Sequence, residues 1–255
     1  MSKHAIKETI DWLSEIGVDE IISPQPTCKF EKAPDGHLSV EPVTQKSAVD
    51  EKVKEIHQPE MDHIQTLDDL QEYMKRFDRC ELKNTATNMV FSDGTPKATV
   101  MIIGEAPGAD EDRLGKPFVG MSGKLLDKAL LSVGLSREKN VYISNIIPWR
   151  PPGNRPPTQD EIDTCLPLIQ KHIQLINPAL ILCVGSVAAK SLLASKLAIS
   201  KLRGGVHLYQ VGDKQIPLFA TYHPAFLLRS PYRKKDVWSD LLMARQKLIT
   251  LGLEG

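Results

Sequence analysis

Short, unbroken apolar runs alternate along this chain with longer stretches in which apolar residues recur every three or four positions. Val100-Met101-Ile102-Ile103, Val141-Tyr142-Ile143, Leu180-Ile181-Leu182-Cys183-Val184 and Pro217-Leu218-Phe219-Ala220 are the four runs. Each is bounded by turn-forming or polar residues, the pattern of strands buried on both faces. Between them the spacing predicts helices from Thr66 to about Phe77, from Ser122 to about Val133, from Thr158 to about Ile176, through Ala188 and Leu193, and from Lys234 to about Leu248. Thr66 before two aspartates is an N-cap candidate, Thr158 with Glu161 three residues on spells a capping box, and Ser122 reads as the cap of its helix. Lys201 to Ile216 alternates weakly around Gly212-Asp213 and predicts a small hairpin. Strands alternating with helices imply a three-layer α/β/α fold on a central four-stranded, mainly parallel sheet with right-handed crossovers.

Upstream the pattern changes. Ile6, Ile10, Leu13 and Ile16 predict a short amphipathic helix within residues 1–22, and residues 23–62 are rich in proline and charge. Such a segment buries too little to offset its ordering entropy and reads as a disordered linker. It leads to a domain over residues 63–255, and the tethered helix is free to dock back or to meet a protein partner.

Composition narrows the class. Hydrophobic residues make up 41% and charged residues 25% of 255 positions, an ordinary soluble balance. No apolar run approaches the ~18 residues of a membrane span, and the N-terminus has no apolar signal core, so the expected location is the cytoplasm. Net charge is zero but uneven: residues 1–60 hold 7 Lys/Arg against 12 Asp/Glu, and residues 196–247 hold 10 Lys/Arg against 3 Asp. A basic C-terminal third suits phosphate contacts, although a solvated helix face would carry the same charges. Cys28, Cys80, Cys165 and Cys183 form no CxxC and read as reduced thiols.

Candidate chemistry clusters after the strands. The loop from Gly104 carries Glu105, Asp110, Glu111 and Asp112, and it lacks the Gly-Lys-Ser/Thr ending of a P-loop. Phe118 follows, then the Gly120-Met121-Ser122-Gly123 helix start, whose amides suit an anion. In open α/β sheets ligands sit beyond the carboxyl ends of the strands, and three such ends deliver Glu105, Asn145 and His223 to one edge. Singly these are a solvated acid, a turn asparagine and a core histidine. Together with Phe118 they form a pocket for a flat polar ring.

Gly104–Gly108, Pro117–Gly120 and His223-Pro224 resemble, in order and spacing, the motifs of family 4 uracil-DNA glycosylases, and the likeness extends from about Phe77 to Leu248. It implies a repair enzyme that flips uracil out of DNA and hydrolyses its N-glycosidic bond. Within that likeness Asn145 is the uracil-pairing residue, Phe118 stacks, His223 donates to uracil O2, Glu111 crowds out a thymine methyl, and Gly104 and Glu105 belong to the uracil site. Ala106 stands where family 1 enzymes have a water-aligning Asp, which leaves Glu105 as a candidate for positioning water. Ser122, Leu227, Leu228 and Arg229 are the DNA-contact candidates, either leucine being a wedge or a core residue. Most family members bind a [4Fe–4S] cluster through four cysteines; the matching positions here are Phe77, Cys80, Trp149 and Cys165. Two thiolates are too few, so no cluster and no other metal is expected. The expected protein is a monomer acting on uracil-containing DNA; the alternative is a silent DNA- or partner-binding module. Covalent capture of uracil by a loop histidine is disfavoured, since residues 146–163 contain no His.

Overall fold

The computed structural model describes residues 59–253. The proposed N-terminal helix, most of the linker and Cys28 lie outside the described residues. A 3₁₀ turn at Pro59–Met61 opens the described chain, followed by α1 (Leu67–Arg76), α2 (Leu82–Thr85), β1 (Asp93–Gly94), β2 (Val100–Gly104), α3 (Ala109–Leu114) and α4 (Met121–Ser132). Then come β3 (Val141–Asn145), α5 (Gln159–Ile176), β4 (Leu180–Val184), α6 (Ser186–Leu193), α7 (Ile199–Leu202), β5 (Val206–Val211), β6 (Lys214–Thr221), α8 (Pro224–Arg229) and α9 (Lys234–Thr250).

The expected four parallel strands are present as β3-β2-β4-β6, and two antiparallel edges extend them to six in the order β1-β3-β2-β4-β6-β5. The predicted hairpin is therefore not a separate appendage. Its second arm runs on without a break into the fourth strand, because Leu208 pairs with Pro217 and Val206 with Phe219. Pro217 is tolerated there because β6 pairs with β4 only from Leu218 onward, so no ladder partner on that side needs the missing amide. The turn around Asp93-Gly94 contributes the other edge by pairing with Ile143 and Tyr142.

Every residue of β2, β3 and β4 is buried, and their alternation splits the core in two. Met101, Ile103, Ile181 and Cys183 join the layer with α1, α5 and α6; Val100, Ile102, Leu180 and Leu182 join the layer with α4, α8 and α9. A one-residue slip would exchange the two sets, so the register is strongly held. Both predicted caps form: the Thr66 and Thr158 hydroxyls accept from the third helical amide, and Asp69 and Glu161 return the bond.

Three expectations require correction. Met61 and Ile64 are buried in the core, so the packed domain begins before residue 63. Gly120, not Ser122, is the N-cap of α4, because Glu111 already holds the Gly120 amide and starts the helix two residues earlier. Leu227 is 1% exposed and packs with Leu126 and Leu241 beneath α8, whereas Leu228 is 46% exposed. A buried leucine is no wedge, and that candidacy passes to Leu228.

Candidate active site

Beyond the carboxyl ends of β2, β3 and β6 lies a cleft of about 470 Å³, lined among others by Glu105, Glu111, Phe118, Asn145, His223 and Arg229. The parallel register sets its floor: Gly104 pairs with Asn145 across β2 and β3. A Cβ at Gly104 would stand 2.4 Å from Asn145 Oδ1 and 2.7 Å from the Phe118 ring. The absent side chain is thus what lets the carboxamide and the aromatic ring meet over the strand end.

Asn145 is 4% exposed, and its Oδ1 is buried with no hydrogen-bond partner among the described residues. Leaving a buried carbonyl oxygen unpaired costs about 1–3 kcal/mol, a cost that a ligand with a matching donor would remove. Opposite stands Phe118, whose ring centroid lies 5.6 Å from that of His223 at an interplanar angle of 33°.

His223 is the N-cap of α8, and its Nδ1 accepts the Ala225 amide at 3.2 Å. Nδ1 therefore carries no proton, and in the neutral ring Nε2 is the donor. Burial lowers the His223 pKa to about 4, with the Arg229 cation acting in the same direction and Glu111 against it. The ring is neutral at physiological pH, a fixed hydrogen-bond donor rather than an acid. Burial alone raises the pKa of Glu105, which lines the same cleft.

Glu111 turns inward. Its Oε1 accepts the amides of Val119 at 2.9 Å and Gly120 at 3.0 Å, tying the start of α3 to the loop after Phe118. The carboxylate thus holds one wall of the cleft as well as facing it. Ser122 lines the cleft from the first turn of α4, and exposed Arg229 lines it from the last turn of α8. The structure brings together every site residue expected from sequence except Leu227 and Leu228, which lie on α8 without lining the cleft.

Residues 91–242 match the Uracil DNA glycosylase superfamily. The type-4 uracil-DNA glycosylase of Archaeoglobus fulgidus is 38% identical over 181 residues, 69% of this chain and 90% of that one. The type-4 enzymes of Sulfurisphaera tokodaii and Pyrobaculum aerophilum are 37% and 39% identical, covering 87% and 92% of those chains. The chain belongs to the type-4 uracil-DNA glycosylases.

Against that family the region of the expected iron–sulfur ligands is altered. Phe77 and Trp149, 6% and 2% exposed, stack with centroids 6.0 Å apart and planes 10° from parallel. Cys80 and Cys165 are buried and hydrogen-bonded to each other. That contact and burial push the Cys165 thiol well up, and the same contact lowers that of Cys80. Two rings fill the volume that two further thiolates would need, so these residues do not fit a four-cysteine cluster. Among the described residues no group of three or more His, Cys, Asp and Glu side chains is placed to hold a metal.

Sequence reasoning missed the far wall of the cleft, where Pro151, Asn154 and Arg155 approach from the β3–α5 loop. Arg155 is held there by Glu161 through two bonds of 2.9 and 2.5 Å. Its available signal was Arg155 six residues before the capping-box glutamate, which local pattern reading assigns only to the helix cap.

Proposed function

We propose that the protein flips deoxyuridine out of DNA and hydrolyses the bond between uracil N1 and the sugar C1′, leaving an abasic site. The observation that carries this reading is the buried, unpartnered carboxamide oxygen of Asn145 facing Phe118 across Gly104. Uracil satisfies it: Oδ1 accepts N3–H while the amide donates to O4, the two-point logic by which a carboxamide reads a base edge. Phe118 stacks on the ring. As the glycosidic bond breaks, the bonding electrons leave with uracil and charge gathers on O2, where His223 Nε2–H stabilises it. A preset donor of this kind is worth about 3–4 kcal/mol. Water completes the reaction at C1′, its hydroxyl joining the sugar and its proton released; Glu105, when ionised, orients that water or faces the cationic sugar.

Extrusion of a base from a duplex is supported by an apolar wedge filling the gap. Exposed Leu228 takes that part, with Arg229 and the Ser122 region meeting phosphate. The Phe77–Trp149 stack supports an enzyme that works without an iron–sulfur cluster.

A fluorescent oligonucleotide containing one uracil tests the reading. Strand breakage at the abasic site after alkali is expected, and intact DNA at high enzyme concentration would sink it. Asn145→Asp extends the test to base choice. A protonated Asp donates to cytosine N3 and its other oxygen accepts from N4, so the variant should discriminate less against cytosine and gain measurable cytosine excision. A variant with normal uracil excision and no activity on cytosine would remove Asn145 from the role of base reader.

A further inference from the structure

The ring of Phe118 stands on an unusual backbone. Its φ is +53°, a left-handed conformation that a bulky L-residue rarely adopts and that surrounding contacts must impose. Helix α4 supplies one of those contacts: a Cβ at Gly123 would fall 1.9 Å from the Phe118 carbonyl oxygen, so that oxygen is seated against the helix backbone. Glu111 supplies a second by accepting the two amides that follow Phe118.

The third is Arg137, in the connection between α4 and β3. Its Nη1 donates to the Pro117 carbonyl at 2.8 Å, and its Nη2 donates to the Phe118 carbonyl at 2.5 Å. The guanidinium is in turn anchored from two elements, Nε to Asp127 Oδ1 at 2.8 Å on α4 and Nη1 to Asp93 Oδ2 at 3.0 Å on β1. Its side chain is 12% exposed. An ion pair that served only to join β1 to α4 would need the two carboxylates and nothing more. Here the same rigid fork also spans two successive carbonyls of the loop that carries the ring. A lysine ammonium, a point donor, does not reproduce that geometry.

We propose that Arg137 is a positioning residue for uracil recognition, fixing the height and tilt of the Phe118 ring through the backbone of residues 117 and 118. The inference rests on the reading of Phe118 as the stacking ring. It predicts that Arg137 acts on base binding only through Phe118.

A double-mutant cycle tests this, with single-turnover excision and the inhibition constant of free uracil as readouts. Phe118→Ala should weaken uracil binding on the order of tenfold to a hundredfold, the usual worth of a base–aromatic stack. Arg137→Ala should weaken it on the order of tenfold, as a misplaced ring does, and the double variant should be no worse than Phe118→Ala within about twofold. Thr66→Ala, which loosens the N-cap of α1, is the stability control and should leave the uracil constant unchanged. Where Arg137→Ala does not fold, Arg137→Lys keeps the charge beside Asp93 and Asp127 and should still weaken uracil binding. Effects that multiply in the double variant, or normal uracil affinity in the single Arg137 variant, would overturn the proposal. If Phe118→Ala is itself silent, the reading of the site fails instead, and the two failures are distinct.

Discussion

Gly104 leaves no space for even a methyl group between the Asn145 carboxamide and the Phe118 ring. Its backbone is ordinary strand, so alanine there is expected to close the base slot without disturbing the fold. Gly104→Ala should lower single-turnover uracil excision by about a hundredfold or more, the scale at which small displacements of reacting groups act, while its thermal midpoint stays within a few degrees of the parent. A variant that excises normally would place the base elsewhere. At this scale the sequence was unevenly legible. Asn145, His223 and Phe118 could be chosen because each follows a strand or a Gly/Pro turn. Leu227 and Leu228 are adjacent and chemically identical, and only the packing of α8 against α4 and α9 decides which one is buried.

Among the elements, the junction between α1 and the β3–α5 loop carries the residues at the expected cluster-ligand positions. Phe77, the C-cap of α1, stacks on Trp149, and behind them Cys80 touches Cys165 on α5. Apolar packing joins these elements here. Cys80→Ser with Cys165→Ser should therefore give a soluble, colourless and active enzyme, each hydroxyl costing about 1–2 kcal/mol through polar burial. The checks are an iron assay and absorbance near ~400 nm, where cysteine-ligated clusters absorb, on anaerobically purified parent and variant. Stoichiometric iron in the parent, abolished by the double substitution, would show that another residue completes a cluster site.

Buried His172 and half-buried His223 couple the whole molecule to pH. His172 on α5 bonds Tyr142 OH at 2.8 Å and stacks on Phe91, and burial lowers its pKa to about 3; that of His223 lies near 4. In the unfolded chain both return to about 6.5. Between those values the unfolded state holds protons that the folded state lacks, so stability falls as pH falls from about 6.5. Each histidine contributes about 1.4 kcal/mol per pH unit over its own window, and the loss ends near its folded pKa. Urea midpoints at pH 6, 5 and 4.5 should therefore drop steeply for the parent and less steeply for His172→Gln. An unchanged pH slope in that variant would exclude His172 as a source.

The amino-acid sequence alone determined the four parallel strands, the Thr66 and Thr158 caps and the order in which strand ends deliver Glu105, Asn145 and His223. These follow from short-range causes: apolar runs, side chain-to-amide capping and a topology that places every carboxyl end on one edge. Tertiary structure alone decided the rest. The β1 edge depends on a pairing partner distant in the chain, Asp93 with Ile143, and the hairpin's place in the sheet depends on β6 pairing with β4. The proton on His223 Nε2 depends on the Ala225 amide, and the unpaired oxygen of Asn145 depends on a register that sets it opposite Gly104. Arg137 reaches the loop of Phe118 from nineteen residues away in the chain. Hydrogen-bond partners and packing neighbours of this kind are chosen by proximity in three dimensions, which the local pattern of residues does not encode.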